Sequence, residues 1–213
     1  MRKFIFCALL AFPLIAIAQD DNVWAPQEEG TPFNQKVNNK KPQTDEKYLK
    51  GAVPVEDGKV TWDIDIELAG MTDKEIYNRA YKLIYQLTKS EGQFDESAIV
   101  LIDREKHVVV ANLKEWLIFS QHLLAVDRTA FRYTLIATCT EGNLHLTLCC
   151  NDYTYGEGRR EEKYKAEEWI TDEYAMNKAG TKLYGNTAKF RRKTIDRKDH
   201  IFSTMAKLMK EKD

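Results

Sequence analysis

Val60-Thr61-Trp62-Asp63-Ile64-Asp65-Ile66-Glu67-Leu68 is the stretch that decides the fold. Val60, Trp62, Ile64, Ile66 and Leu68 alternate strictly with Thr61, Asp63, Asp65 and Glu67. Successive side chains of a strand point to opposite faces, so this period predicts a strand with one dry face and one acidic, wet face. Gly70 breaks the pattern. Thr72-Asp73-Lys74-Glu75 then reads as a capping box, in which the Thr72 hydroxyl accepts from the Glu75 amide while the Glu75 carboxylate reaches back. Ile76, Tyr77, Ala80, Tyr81, Ile84 and Leu87 follow at three-to-four spacing, the stripe of an amphipathic helix that Gly92 ends.

Downstream, Ala98–Ile102 and Val108–Ala111 are short apolar runs around the polar turn Asp103-Arg104-Glu105-Lys106, which predicts a hairpin. Leu113, Trp116 and Leu117 extend its second strand past a charged interruption, and Phe119–Arg128 carries no assignable pattern. Phe131, Tyr133, Leu135, Ala137 and Cys139 alternate with polar or small residues, as do Leu144, Leu146, Leu148 and Cys150. With Gly142-Asn143 as a two-residue turn, Cys139 opposes Leu146 and both apolar sets share one face. Tyr153-Thr154-Tyr155-Gly156-Glu157-Gly158 reads as a flexible surface loop, and Arg159-Arg160 and Lys189–Lys193 as solvated basic runs. A short helix is expected over Glu167–Lys178. Asp196 is the expected cap of a closing helix whose stripe is Ile201, Phe202, Met205, Leu208 and Met209.

The ends bear on location. Arg2 and Lys3 precede an apolar run, Phe4 to Ala18, that finishes in Ala16-Ile17-Ala18, the layout of a secretory signal peptide and short for a membrane span. Cys7 lies inside that run behind Phe4-Ile5-Phe6, so a lipid anchor is not expected. Residues 19–50 are poor in aliphatic groups and hold Pro26, Pro32 and Pro42, the composition of a flexible polar leader. Trp24 and Phe33 are its large apolar groups, either docked or stray. Loss of Arg2 and Lys3 would move the formal net charge from −1 to −3, which gives no general attraction to nucleic acid. The remaining Cys139, Cys149 and Cys150 are odd in number and lack metal-type spacing. A Cys139–Cys150 disulfide is disfavoured by register.

These elements predict an α+β domain over 51–213 with a charged insertion around 153–190. Its antiparallel sheet has about five strands, in the order strand, helix, four strands, helix, with the helices packed on one face. The chain resembles a family of uncharacterised secreted bacterial proteins whose domain has a TATA-box-binding-protein-like fold. Val60-Thr61-Trp62-Asp63-Ile64, the Thr72–Tyr77 helix start, Tyr133-Thr134-Leu135 and the Asp196–Met209 helix carry that resemblance. It covers roughly residues 50–152 well and the last third less closely. It implies a fold and no activity.

On the open face the expected side chains are Thr61, Asp63, Asp65, Glu67, Arg132, Thr134, Ile136, Thr138, His145, Thr147 and Cys149. Three carboxylates on one strand repel phosphate, and no apolar wedges are present to pry base steps apart, so DNA is not the expected partner. Asp63 and Asp65 sit about 6–7 Å apart on one strand face, without the convergent ligands of a calcium site. His145 and Cys149 are about 13 Å apart, too far for proton transfer. No cofactor, metal or catalytic residue is expected. The reading is an exported, periplasmic or extracellular binding module for a protein, peptide or glycan, with Asp63, Asp65, Arg132, Thr134, His145 and Thr147 as its contact residues. A hydrolase working through the first-strand carboxylates and a structural or chaperone-like envelope protein are the alternatives.

Overall fold

The computed structural model describes residues 31–35, 45–123, 125–156 and 160–211. The expected signal segment 1–18, Cys7, Trp24 and most of the leader lie outside the described residues. Seven strands form one antiparallel sheet: β1 (Val55–Glu56), β2 (Lys59–Glu67), β3 (Ala98–Asp103), β4 (Val108–His122), β5 (Ala125–Thr140), β6 (Asn143–Tyr155) and β7 (Glu162–Lys165). The order across the sheet is β1-β2-β6-β5-β4-β3, and β7 pairs with the end of β6 beyond the stretch taken by β2. The helices are α1 (Asp73–Thr88), the single turn α2 (Asp172–Ala175) and α3 (Gly185–Lys210). α1 and α3 pack on one face of the sheet.

The alternation does what the sequence predicts. Val60, Ile66, Leu135, Ala137, Leu144, Leu146 and Leu148 are all fully or almost fully buried beneath the helices, whereas Asp63, Asp65 and Glu67 face solvent. Thr72 caps α1 with both arms of the box, Glu75 N donating to Thr72 Oγ1 at 3.3 Å and Thr72 N to Glu75 Oε2 at 2.8 Å. The buried stripe of α1 includes Leu83 rather than Tyr81, which is exposed.

Several expectations are corrected. The sheet has seven strands instead of about five. β1 is a two-residue strand turned back by Asp57-Gly58, both at positive φ (48° and 74°), the backbone of a type I′ hairpin. β7 comes from a charged run whose backbone finds a partner in β6 although its side chains remain mostly exposed. Within Phe119–Arg128, Phe119–His122 ends β4 and Ala125–Arg128 opens β5, and the two long strands pair along one ribbon. The turn at the end of β5 is Glu141-Gly142, with Gly142 at φ 72°, so Cys139 opposes Leu144 and Leu146 opposes Ala137. That is a slip of two residues from the expected register, and a slip of two preserves faces.

Tyr153 and Tyr155 belong to β6 instead of a loop, and Tyr153 is fully buried. A β-bulge explains it: Tyr133 pairs with Cys150 and Arg132 with Asp152, leaving Asn151 as an extra residue that reverses the phase. The stretch expected as a charged insertion also buries Ala166, Ile170, Ala175, Met176 and Leu183. The helix expected over Glu167–Lys178 is reduced to α2 and a 3-10 turn at Ala166–Glu168. α3 begins eleven residues before Asp196, which lies mid-helix and binds Lys47 and Tyr48.

Two residues of the basic run that looked solvated are structural. Arg191 is wholly buried and donates to the carbonyls of Tyr48, Leu49 and Ile170 and to Asp172. Lys189 binds Asp127 and the Tyr155 hydroxyl. Further along the same helix, Arg197 forms a bidentate pair with Glu115, both contacts at 2.7 Å, and its Nη1 donates to the Phe33 carbonyl at 2.6 Å. Phe33 is docked rather than stray, with no exposed surface. Glu115 therefore explains the charged interruption in β4: it faces inward because an arginine is waiting there.

Candidate functional site

With both long helices on one side, the other face of β2, β6, β5 and β4 carries no helix among the described residues. The registers arrange its side chains in rows. Asp65, His145 and Thr138 form one, and Asp63, Thr147 and Ile136 the next. Thr61, Cys149, Thr134 and Asn112 follow, and past the bulge come Asp152, Arg132 and Lys114. Thr61 is nearly buried in its row, while the others are half-buried or exposed.

The six expected contact residues share this face but not one site. Four converge. His145 Nδ1 donates to Asp65 Oδ1 at 2.9 Å, and its Nε2 lies 3.5 Å from Asp63 Oδ1. The Thr147 hydroxyl donates to Asp63 at 2.5 Å, and Asn143 Nδ2 donates to Asp65 at 2.9 Å. Hydrogen bonds from Asn143 and then His145 hold the Asp65 carboxyl below its usual range. Arg132 lies at the other end, six residues along β5 from Thr138, or about 20 Å at strand rise. Thr134 stands one row nearer.

At that end Arg132 grips Asp152 through Nε (2.9 Å to Oδ1) and Nη2 (2.5 Å to Oδ2), which raises the guanidinium pKa. Lys114 binds Glu96 at 2.6 Å and lowers its carboxyl pKa. Between the two pairs, Asn151 Nδ2 donates to Thr134 Oγ1 at 3.2 Å, whose hydroxyl donates to Asn112 Oδ1 at 3.0 Å. These groups line a concavity of about 450 Å³. Sequence reasoning missed Asn112, Lys114, Asn151 and Asp152. The period-two pattern in β4 marked the first two, whereas the bulge hid the others. A wider groove, about 1030 Å³, lies away from this face between α1 and the end of α3.

Asp65, His145 and Thr147 stand in the order of a nucleophile triad, with Thr147 Oγ1 3.4 Å from His145 Nε2. Two features do not suit acyl transfer. The Thr147 proton is directed to Asp63, away from the imidazole. In addition, β6 is paired on both edges here, so its backbone N–H groups serve the ladder instead of an oxyanion. Cys139, Cys149 and Cys150 are unpaired thiols. Among the described residues no group of three or more His, Cys, Asp or Glu is placed to hold a metal ion.

An antiparallel hairpin sheet with both long helices on one side is the layout of a TATA-box-binding-protein-like α+β domain. The family described as a domain of unknown function (DUF4468) with TBP-like fold matches residues 62–154. A crystal structure of a DUF4468 family protein from Bacteroides ovatus is 41% identical, with a TM-score of 0.73, covering 82% of this chain and 98% of that one. The chain belongs to the DUF4468 family. A TBP-like protein from Parabacteroides distasonis shares the fold at 19% identity and TM-score 0.59, over 76% of this chain and 99% of that one. No curated protein matches the chain. Among the described residues no helix is long and apolar enough to cross a membrane.

Proposed function

We propose that the protein is a non-enzymatic binding module, exported from the cytoplasm, that engages a protein, peptide or glycan through its open sheet face. One observation carries this reading: the central strands β5 and β6 are roofed on one side and expose an ordered polar surface on the other, from Asp65 to Arg132. Export rests on the N-terminal sequence, with its basic start, apolar run and small-x-small end. Exposed Asp63, Asp65 and Glu67 make phosphate backbones poor partners.

Glycan and peptide arrays probed with the purified protein test the reading. Paired variants, Asp65→Ala with His145→Ala and Arg132→Ala with Asp152→Ala, should remove binding while melting temperature moves little. A ligand whose capture survives both pairs and maps to the helix layer would refute it.

The Asp65-His145-Thr147 line is the specific feature in favour of the hydrolase alternative. That chemistry calls for a carboxyl kept protonated by a raised pKa or a nucleophile aimed at its base. Asp65 is shifted in the opposite direction. Turnover of any ester, peptide or glycoside that Thr147→Val abolishes would reinstate it.

A further inference from the structure

We infer that the concavity at the Arg132 end of the open face is a subsite for an uncharged, hydroxyl-rich ligand, a sugar residue of a glycan. This rests on the binding-module reading and assigns a ligand class to one part of that surface. Three observations lead to it. The charges of the pocket cancel internally, since Arg132 is matched by Asp152 and Lys114 by Glu96 in close pairs. An ionic ligand would add an unmatched charge to walls that are already balanced, whereas a neutral one leaves the balance in place. Selectivity against charge is thus built into the walls.

The second observation is that, among the described residues lining the concavity, no apolar side chain is turned into it. Leu113 and Tyr133 border the concavity only from beneath, because they turn to the core side with 2% and 0% exposure. A peptide held on a sheet face needs pockets for its side chains or an open strand edge, and β5 and β6 have neighbours on both edges. A sugar needs neither.

The third is the hydrogen-bond relay from Asn151 through Thr134 to Asn112. It takes one N–H of Asn151 and one lone pair of the Asn112 oxygen, and leaves Asn151 Oδ1 as an open acceptor at one end and Asn112 Nδ2 as an open donor at the other. Among the described residues neither atom has a protein partner. A hydroxyl both donates and accepts, so adjacent sugar hydroxyls can meet both ends. The relay also fixes three side chains in advance, which lowers the ordering entropy of binding. The volume of about 450 Å³ falls in the range of small-molecule sites.

The test is a titration of 15N-labelled protein, followed by NMR, with methyl glycosides of glucose, galactose, mannose and xylose. Glucuronate, glucosamine and a neutral Gly-Ser-Gly amide serve as comparators. Neutral glycosides should shift the side-chain amides of Asn112 and Asn151 and the Nε of Arg132, and Thr134→Val should weaken binding about tenfold by cutting the relay. Valine suits a strand, so the variant should keep its melting temperature. Preference for a charged sugar or the peptide at these atoms would overturn the ligand class. Shifts confined to His145 and Asn143 would overturn the subsite and leave the open-face reading standing. No shift with any glycoside would also overturn the subsite, and the array experiment above would then decide the broader reading by itself.

Discussion

Removing the carboxylate of Glu115 should be among the most damaging single changes available to this protein. Glu115 is completely buried and Arg197 almost so. Burial alone would draw the guanidinium pKa down, yet the adjoining Glu115 carboxylate leaves it above its usual value, so Arg197 stays charged. In Glu115→Gln that charge keeps its bond to the Phe33 carbonyl and loses its counterion, a change that costs about 3–5 kcal/mol for a buried pair. Gln93, which donates to Glu115 at 2.8 Å, gains an amide neighbour in place of a carboxylate. For a domain of this size each kcal/mol lowers the melting temperature by about 2–4 °C, so a drop of about 6–20 °C is expected. Arg197→Met leaves the carboxylate stranded and should cost a similar amount. Combined, Glu115→Leu with Arg197→Met removes both charges, and its deficit should fall to about 1–2 kcal/mol, chiefly the unmatched Phe33 carbonyl and Gln93 amide. Urea unfolding of wild type, the Glu115→Leu and Arg197→Met single variants and their double variant gives the coupling energy directly. A Glu115→Gln cost below about 1 kcal/mol, or additive single and double effects, would refute the reasoning from a desolvated pair.

Phe33→Ala should destabilise by about 3–5 kcal/mol in the same unfolding assay, a core-sized loss from a residue that precedes the domain's first helical turn. Tyr153→Phe should cost about 1 kcal/mol, since the phenol is hydrogen-bonded to Thr194 at 2.7 Å inside the core. Iodoacetamide at pH 8 should label Cys149 on the open face before the buried Cys139, whose thiol burial pushes up to about 12, with mass spectrometry as the readout. Asp65 has a depressed folded pKa, so its contribution to stability is present above the unfolded value and is lost as pH falls through the folded one. Asp65→Asn should therefore flatten the acid limb of the stability profile below about pH 4, measured by thermal melts across pH.

The fold was legible where burial has a period. β2, α1 and the β5–β6 hairpin each bury one face, and a single-face requirement writes itself into the sequence as alternation or a stripe. It was illegible where a tertiary partner overrides the pattern. Glu115 interrupts the apolar set of β4 and reads as a charged break in the strand, because nothing nearby in sequence announces Arg197, 82 residues on. The basic run of α3 misled for the same reason. Arginines read as solvated until the carbonyls of Tyr48, Leu49 and Ile170 are seen to surround one of them. Composition likewise marked residues 19–50 as unable to bury much, yet Phe33 and Tyr48 are both buried.

For the candidate site, the bulge at Asn151 separates what could be read from what could not. Without the extra residue, strict alternation from Cys150 would carry Asp152 to the dry side and Tyr153 to the wet side. With it, Asp152 reaches Arg132 on the open face, while Tyr153 enters the core to stack on Phe131 at 5.3 Å and bind Thr194. One inserted residue thus serves both layers at once. It closes the aromatic core under α3 and brings an acceptor to a cationic end of the face that would otherwise attract anions. This dual role argues that the neutrality of the Arg132 end is set by the backbone of β6 as much as by the choice of side chains. The acidic end behaves differently, because Asp63, Asp65, His145 and Thr147 follow unbroken alternation and were readable from the sequence before any register was known.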